Sequence, residues 1–333
     1  MVVLTLLIVA AGIRVYEDLF AANVVPEANK GFLYFRSGVS FDRNFEMLSD
    51  RRILKNAYAL KRLIKLFGYS DLVKPGRYRI NMNMSNIDLL RLLVSGRQEP
   101  LDIVFKYAER KGDMAAFWSR QLEADSIELL DWMNHPDSVR QFGLDTSQSI
   151  LFFIPNTYNF YWNTPSSKLI QRMALEYNKF WNEGRDIKAG QLNLTRAMVG
   201  ILASIVQKET ARRDEMPIIA GVYYNRLALS FPLQADPTVI YAMNDKRIRR
   251  VYGEMLNNPS PYNTYRHSGL PPGPICVPSV QAIDAVLNMA RHRYLYFCAR
   301  EDFSGYHNFA ATYSAHRINA LRYQHELNRR AIH

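Results

Sequence analysis

Between Asn193 and Glu209 the apolar positions recur with helical spacing. Met198, Ile201, Leu202 and Ile205 share one face, and Glu209 falls on that face one turn later. The spacing predicts a core helix whose buried stripe ends in an ionisable group. An apolar surround and the partial negative charge of a helix C-terminus both disfavour a carboxylate and raise its pKa. A carboxylic acid still protonated near neutral pH suits general-acid chemistry. A glutamate in a last helical turn can equally turn to water and leave its apolar neighbours as core. The pattern alone leaves both readings open.

Upstream, residues 30–97 read as a small separate unit. Gly31-Phe-Leu-Tyr-Phe35 is a strand, residues 44–48 and 54–67 are helices, Gly76-Arg-Tyr-Arg-Ile80 is a returning strand, and residues 86–95 form a helix closed by Gly96. Residues 101–147 form a charged, mostly helical stretch with Phe117, Trp118 and Trp132 as core anchors. Residues 2–13 are apolar apart from Thr5 and are followed by Arg14, Glu17 and Asp18. A helix of that length spans about 18 Å, short of a hydrocarbon core of about 30 Å. No basic segment precedes it, as a secretory signal would require. The run reads as the tail of an N-terminal membrane anchor, with a buried N-terminal helix or strand as the alternative.

A chain of 333 residues, 48% of them hydrophobic, can bury a large core and hold two folded domains. The net charge of +11 raises a nucleic-acid partner, but the basic residues are dispersed, with no long Lys/Arg run and no binding motif, so none is expected. An acidic envelope polymer or a phospholipid surface suits the charge equally well. Cys276 and Cys298 lack metal-ligand spacing and are too few for a disulfide framework; they either pair or remain thiols.

After Glu209 a series of blocks follows in order. Ile205-Val-Gln-Lys-Glu-Thr210 is succeeded by Ala220-Gly-Val-Tyr-Tyr-Asn-Arg-Leu227 and Leu233-Gln-Ala-Asp-Pro-Thr-Val-Ile-Tyr241. Then come Pro261-Tyr-Asn-Thr-Tyr265, Gly269-Leu-Pro-Pro-Gly-Pro-Ile275, Tyr294-Leu-Tyr-Phe297 and Gly305-Tyr-His-Asn-Phe309. Asp236-Pro237 is a helix opening with Asp as N-cap and Pro at the first helical position. Residues 271–273 form a rigid Pro-Pro-Gly turn. Tyr262, Asn263 and Tyr265 lie in a Pro-bounded loop, where aromatics and amides fit the faces and hydroxyl rims of sugars but also fit a core. His307 is assigned no chemistry.

Together the blocks closely resemble the YceG-like family of endolytic murein transglycosylases, with wording such as Ser-Ile-Val-Glu-Lys-Glu-Thr, Asn-Arg-Leu, Leu-Gln-(Thr/Ser)-Asp-Pro-Thr-Val-Ile-Tyr and Gly-Leu-Pro-Pro-Gly-Pro-Ile. The resemblance spans roughly Gln148 to the C-terminus. Two departures remove acids. Gln207 stands where the family commonly has a first Glu, and Leu151-Phe-Phe-Ile-Pro-Asn-Thr-Tyr158 carries Asn156 where the family has Asp. Neither residue can ionise, which leaves Glu209 as the catalytic candidate.

The resemblance implies an α+β protein: a membrane-anchor remnant (residues 1–25), a small LysM-like βααβ domain (26–99), a helical connecting segment (100–147) and a larger mixed α+β catalytic domain (148–333). The LysM-like unit would bind glycan or act as a spacer. The implied reaction cleaves the MurNAc-β-1,4-GlcNAc bond of peptidoglycan strands and leaves 1,6-anhydroMurNAc ends, with Glu209 as acid and then base. Gln207, Asn225, Gln234, Asp236, Thr238, Tyr262, Asn263, Tyr265 and Asn156 would bind substrate. No metal or organic cofactor is implied. Implied partners are peptidoglycan strands, the cytoplasmic membrane through the N-terminal helix, and peptidoglycan synthases, with the catalytic part outside the inner membrane. The alternatives are a hydrolytic muramidase using Asp236 as base or nucleophile, and a non-catalytic glycan-binding scaffold for wall synthases.

Overall fold

A computed structural model describes residues 1–25, 31–50, 53–245, 247–248 and 251–330. The fold is mixed α+β, many helices with three two-stranded sheets. The chain divides into two compact units, Met1–Ile103 with Trp118–Asp125 and Thr157–Lys168, and Val104–Phe117 with Ser126–Asn156 and Leu169–His333.

In the first unit, β1 (Phe32–Phe35) pairs antiparallel with β2 (Gly76–Arg79), Leu33 opposite Tyr78. Alternation along the pair buries Leu33, Phe35 and Tyr78 on one face. Between the strands run α2 (Phe41–Asp50) and α3 (Ala57–Leu66), and α4 (Asn86–Ser95) follows. Each element falls where the hydrophobic pattern puts it, within a few residues. A Ser85–Asp88 capping box opens α4, and Gly96 closes it in the left-handed conformation. Leu60, Ile64, Leu89 and Leu93 join the strand residues in one core.

The N-terminal apolar run lies in a longer helix, α1 (Val2–Phe20), exposed through Glu17, with Leu19 packed against the core. Its last turns carry Arg14, Glu17 and Asp18, and among the described residues no single helix is long and apolar enough to cross a membrane. The segment after α1 is built in. Val24 is 2% exposed, and the Asn23 amide donates to Asn56 O (2.9 Å) and Asn86 Oδ1 (2.6 Å).

Residues 101–105 depart from the helical expectation. They form β3 (Leu101–Phe105), which pairs with β4 (Asn156–Phe160). Ile103 and Phe105 point inward and Val104 outward, the period of two that distinguishes a strand from a helix. Helices α5 (Lys111–Gln121), α6 (Ser126–Asn134) and α7 (Pro136–Arg140) then follow. Trp118 is fully buried.

The second unit is organised around α10 (Arg196–Glu209), which follows α8 (Ser166–Phe180) and α9 (Glu183–Gln191). The Thr195 hydroxyl accepts from Met198 N, so the helix begins three residues after Asn193. Every residue from Val199 to Val206 is buried, against α11 (Met216–Ala228), α12 (Asp236–Met243) and α13 (Val280–Leu287). Aromatic rings of Trp132, Phe142, Phe152 and Tyr177 pack together in the same unit. A hairpin of β5 (Tyr296–Ala299) and β6 (His307–Ala310) packs on the last helix, α14 (Tyr313–Arg329).

Candidate active site

Helix α10 delivers Glu209 as its last residue, one turn beyond fully buried Ile205, so the core-facing stripe does end in a carboxyl. The side chain is half-buried. Desolvation pushes its pKa up to about 7, helped by the negative charge of Asp236 and opposed by a hydrogen bond from Tyr223 and the charge of Arg226. At neutral pH the group therefore populates both protonation states.

Tyr223 lies on α11, 1% exposed, and its hydroxyl donates to Glu209 Oε1 at 2.5 Å. Burial first, then the neighbouring carboxylate, raises the phenol well above its ordinary value, so it stays a donor. One turn further along α11, Arg226 is 8% exposed. Its guanidinium donates to the carbonyls of Leu295 (2.6 Å), Pro232 (3.2 Å) and Leu233 (2.7 Å) and to Gln234 Oε1 (3.4 Å). This fixes a cation behind the carboxyl.

Asp236 and Tyr265 form the second part of the site. Tyr265 Oη donates to Asp236 Oδ1 at 2.5 Å, and Asp236 is exposed. The expectation that Asp236 is the N-cap of α12 is corrected. Ala235 occupies the cap without a side-chain bond, and Asp236 is the first helical residue. The turn is held instead by buried hydroxyls, Thr238 Oγ1 donating to Ala235 O (2.7 Å) and Ala235 N donating to Thr264 Oγ1 (3.0 Å). The chain enters that turn through Gln234 at φ 52°, a left-handed conformation uncommon for a residue with a side chain. Asp236 is left pointing to solvent and Tyr265 rather than capping backbone.

The remaining predicted site residues take different positions. Thr238 is fully buried and shares a hydrogen bond with Thr264 at 2.8 Å. Asn263 is also fully buried, both amide hydrogens donated to the carbonyls of Leu256 (2.9 Å) and Asn258 (2.8 Å). Asn225 donates to the carbonyls of His292 (2.9 Å) and Tyr294 (3.0 Å). Gln207 accepts from Ser279 N at 2.5 Å and donates to Val277 O, linking α10 to the segment before α13. Tyr262 packs on Tyr241, ring centroids 4.8 Å apart. Asn156 is exposed at the start of β4. Thus Glu209, Gln234, Asp236 and Tyr265 share one constellation, while Thr238, Asn263 and Asn225 brace the backbone around it.

Tyr223 and Arg226 are the two site residues that the sequence reading did not single out, although both lie in the quoted Ala220–Leu227 block. Arg226 carries the signal, a charged residue inside a largely apolar helix that must find partners when buried, whereas Tyr223 carries none in the local sequence. The Pro-Pro-Gly block is a close-packing device: a Cβ at Gly273 would lie 2.2 Å from Ser147 O and 2.8 Å from Tyr262 Oη. Cys276 and Cys298 are unpaired, and burial pushes the Cys276 thiol up to about 12. Among the described residues no group of His, Cys, Asp and Glu could hold a metal ion.

Comparison with known proteins matches the YceG-like family over residues 33–322. The endolytic murein transglycosylase of Bacillus subtilis (strain 168) is 25% identical over 285 residues, 80% of this chain and 78% of that one. Its namesake from Streptococcus pneumoniae serotype 2 (strain D39) is 28% identical over 283 residues, 74% of this chain and 50% of its own length. This chain thus spans about half the length of the pneumococcal relative. A crystal structure of a YceG-like protein from Listeria monocytogenes has the same fold, with a TM-score of 0.57 at 24% identity, covering 86% of this chain and 97% of that one. The family match runs through both units and through every residue of the Glu209 constellation, and the chain belongs to the YceG-like family.

Proposed function

We propose that this chain is an endolytic murein transglycosylase that cuts MurNAc-β-1,4-GlcNAc bonds and leaves 1,6-anhydroMurNAc ends. The observation that carries the reading is the Glu209 carboxyl, pushed up to about 7 by burial and held by Tyr223. A group titrating there can give a proton and take one back within a single turnover.

Protonated Glu209 donates to the leaving 4-oxygen as the C1–O4 bond breaks. The new carboxylate is stabilised by the Tyr223 hydroxyl and by the charge of Arg226. It then accepts the proton of the C6 hydroxyl of the same MurNAc as that oxygen bonds to C1. The ring holds this nucleophile at high effective concentration, so no second carboxylate is needed to activate water. Asp236, exposed and oriented by Tyr265, stabilises positive charge developing at C1. Gln234, whose Oε1 accepts from Arg226 at 3.4 Å, contributes to sugar binding.

The proximity of Asp236, close enough for its charge to raise the pKa of Glu209, favours one second reading, a hydrolytic muramidase in which Asp236 activates water. The β1-α2-α3-β2 unit serves as a LysM-like glycan-binding module. The exposed apolar turns of α1 hold the enzyme at the outer side of the cytoplasmic membrane, within reach of wall synthases.

Glu209→Gln tests the assignment, because Gln is nearly isosteric yet cannot exchange a proton. Turnover of purified sacculi should fall by about 10²- to 10⁴-fold with glycan binding retained. Activity within a few-fold of wild type would remove Glu209 from the mechanism.

A further inference from the structure

Beside the carboxyl site, and wholly within the second unit, lies a cavity of about 380 Å³ that the proposed chemistry does not use. Lys208 and Pro237 line it, the immediate chain neighbours of Glu209 and Asp236, so it borders the place where the glycan is cut. Its floor is apolar, made by Ile240, Tyr241 and Ile275. Its walls carry both signs of charge: Arg110 and Lys208 with Glu109 and Asp245.

These charges are arranged rather than incidental. Lys208 Nζ pairs with Glu109 Oε1 at 2.7 Å, and Glu109 also accepts from Tyr107 Oη at 2.5 Å. The Arg110 guanidinium stacks 4.2 Å from the Tyr241 ring centroid and donates to Tyr241 O at 2.8 Å, which holds it at the cavity wall. Asp245 is paired with Arg247 at 2.8 Å. A bare amino-sugar backbone offers hydroxyls and amides but no ammonium groups and no run of alternating charge. The muramyl lactyl group of murein, in contrast, carries a short peptide with both carboxylates and amines.

We infer that this cavity binds the peptide attached to the MurNAc residue at the cleavage site, with Arg110 receiving a carboxylate and with Lys208, Glu109 and Asp245 exchanging their present ion pairs for the peptide's carboxylates and amine or amide hydrogens. Apolar side chains of the peptide rest on Ile240 and Ile275. Binding there makes the enzyme selective for peptide-bearing over peptide-stripped strands. This rests on murein being the substrate, and the test separates the two claims.

Murein fragments of defined length, with peptides intact or removed by an amidase, are titrated calorimetrically into the Glu209→Gln full chain. The intact fragments should bind about tenfold tighter, the effect of one or two charge-assisted contacts. Adding Lys208→Glu or Arg110→Ala to Glu209→Gln should erase that preference while leaving affinity for stripped glycan unchanged. Lys208 is exposed, so its replacement leaves the core intact. Equal affinity for the two fragments, or a preference that survives both changes, would overturn the inference while leaving the murein reading in place. Binding of neither fragment would overturn the murein reading and the inference with it.

Discussion

The hydroxyl of Tyr223 donates to Glu209 Oε1 at 2.5 Å, from the middle of α11 to the last residue of α10. This bond favours the charged form of the carboxyl, against the larger effect of desolvation, so it sets how far above an ordinary carboxylic acid Glu209 titrates.

Tyr223→Phe removes that bond with little change in volume and so raises the pKa of Glu209. Because the general acid must be protonated, the alkaline limb of the kcat/KM profile should move to higher pH, while the rate at its plateau falls as the emerging carboxylate loses a donor. A profile with its alkaline limb unmoved would mean that Glu209 does not set it.

Burial of Glu209 also ties stability to pH. Its folded pKa, about 7, exceeds its ordinary value of 4.5, so between those values the folded chain binds more protons than the unfolded one and stability falls as pH rises. Its contribution is complete below about 4.5 and lost as pH passes about 7. Glu209→Gln should therefore melt higher relative to wild type at pH 8 than at pH 5. Parallel melting curves across that range would contradict the raised pKa.

Residues 1–15 and 1–24 should behave differently when removed. Turns before Tyr16 are exposed, so loss of residues 1–15 should leave the melting transition in place and abolish flotation with phospholipid vesicles. Removing residues 1–24 also takes Asn23 and Val24, which belong to the core of the first unit, and should cost at least about 1.5 kcal/mol from the buried valine alone. Vesicle flotation unchanged by the shorter deletion would argue against the tether.

Periodicity made much of this structure legible. The α10 stripe predicts a carboxyl at a buried helix end, and the spacing of residues 31–80 predicts β1-α2-α3-β2, because both signals are local. Long-range partners were not legible. Nothing near Asp236 in the chain indicates that Tyr265 binds it, so the Asp-Pro pair reads as a cap, the local alternative. Asn263 reads as a sugar ligand because polar residues in loops usually face water, and Thr238 only because the family resemblance implies it. The structure turns both inward, Asn263 onto carbonyls of its own loop and Thr238 onto the carbonyl that opens α12. Tyr223 and Arg226 passed as helix residues because their role depends on how α11 packs against α10, and the turn at residues 210–215 that separates the two helices hides that packing from local pattern.

The fate of water decides the central claim most directly. Wild-type enzyme and Asp236→Asn are incubated with peptidoglycan in ¹⁸O-labelled water and the products weighed by mass spectrometry. Wild type should yield 1,6-anhydro ends, lighter than hydrolytic ends by one water and free of label. Asp236→Asn should work more slowly and give the same ends. Reducing ends carrying ¹⁸O, with nearly all product lost in Asp236→Asn, would contradict single-carboxyl transglycosylation and establish hydrolysis through Asp236.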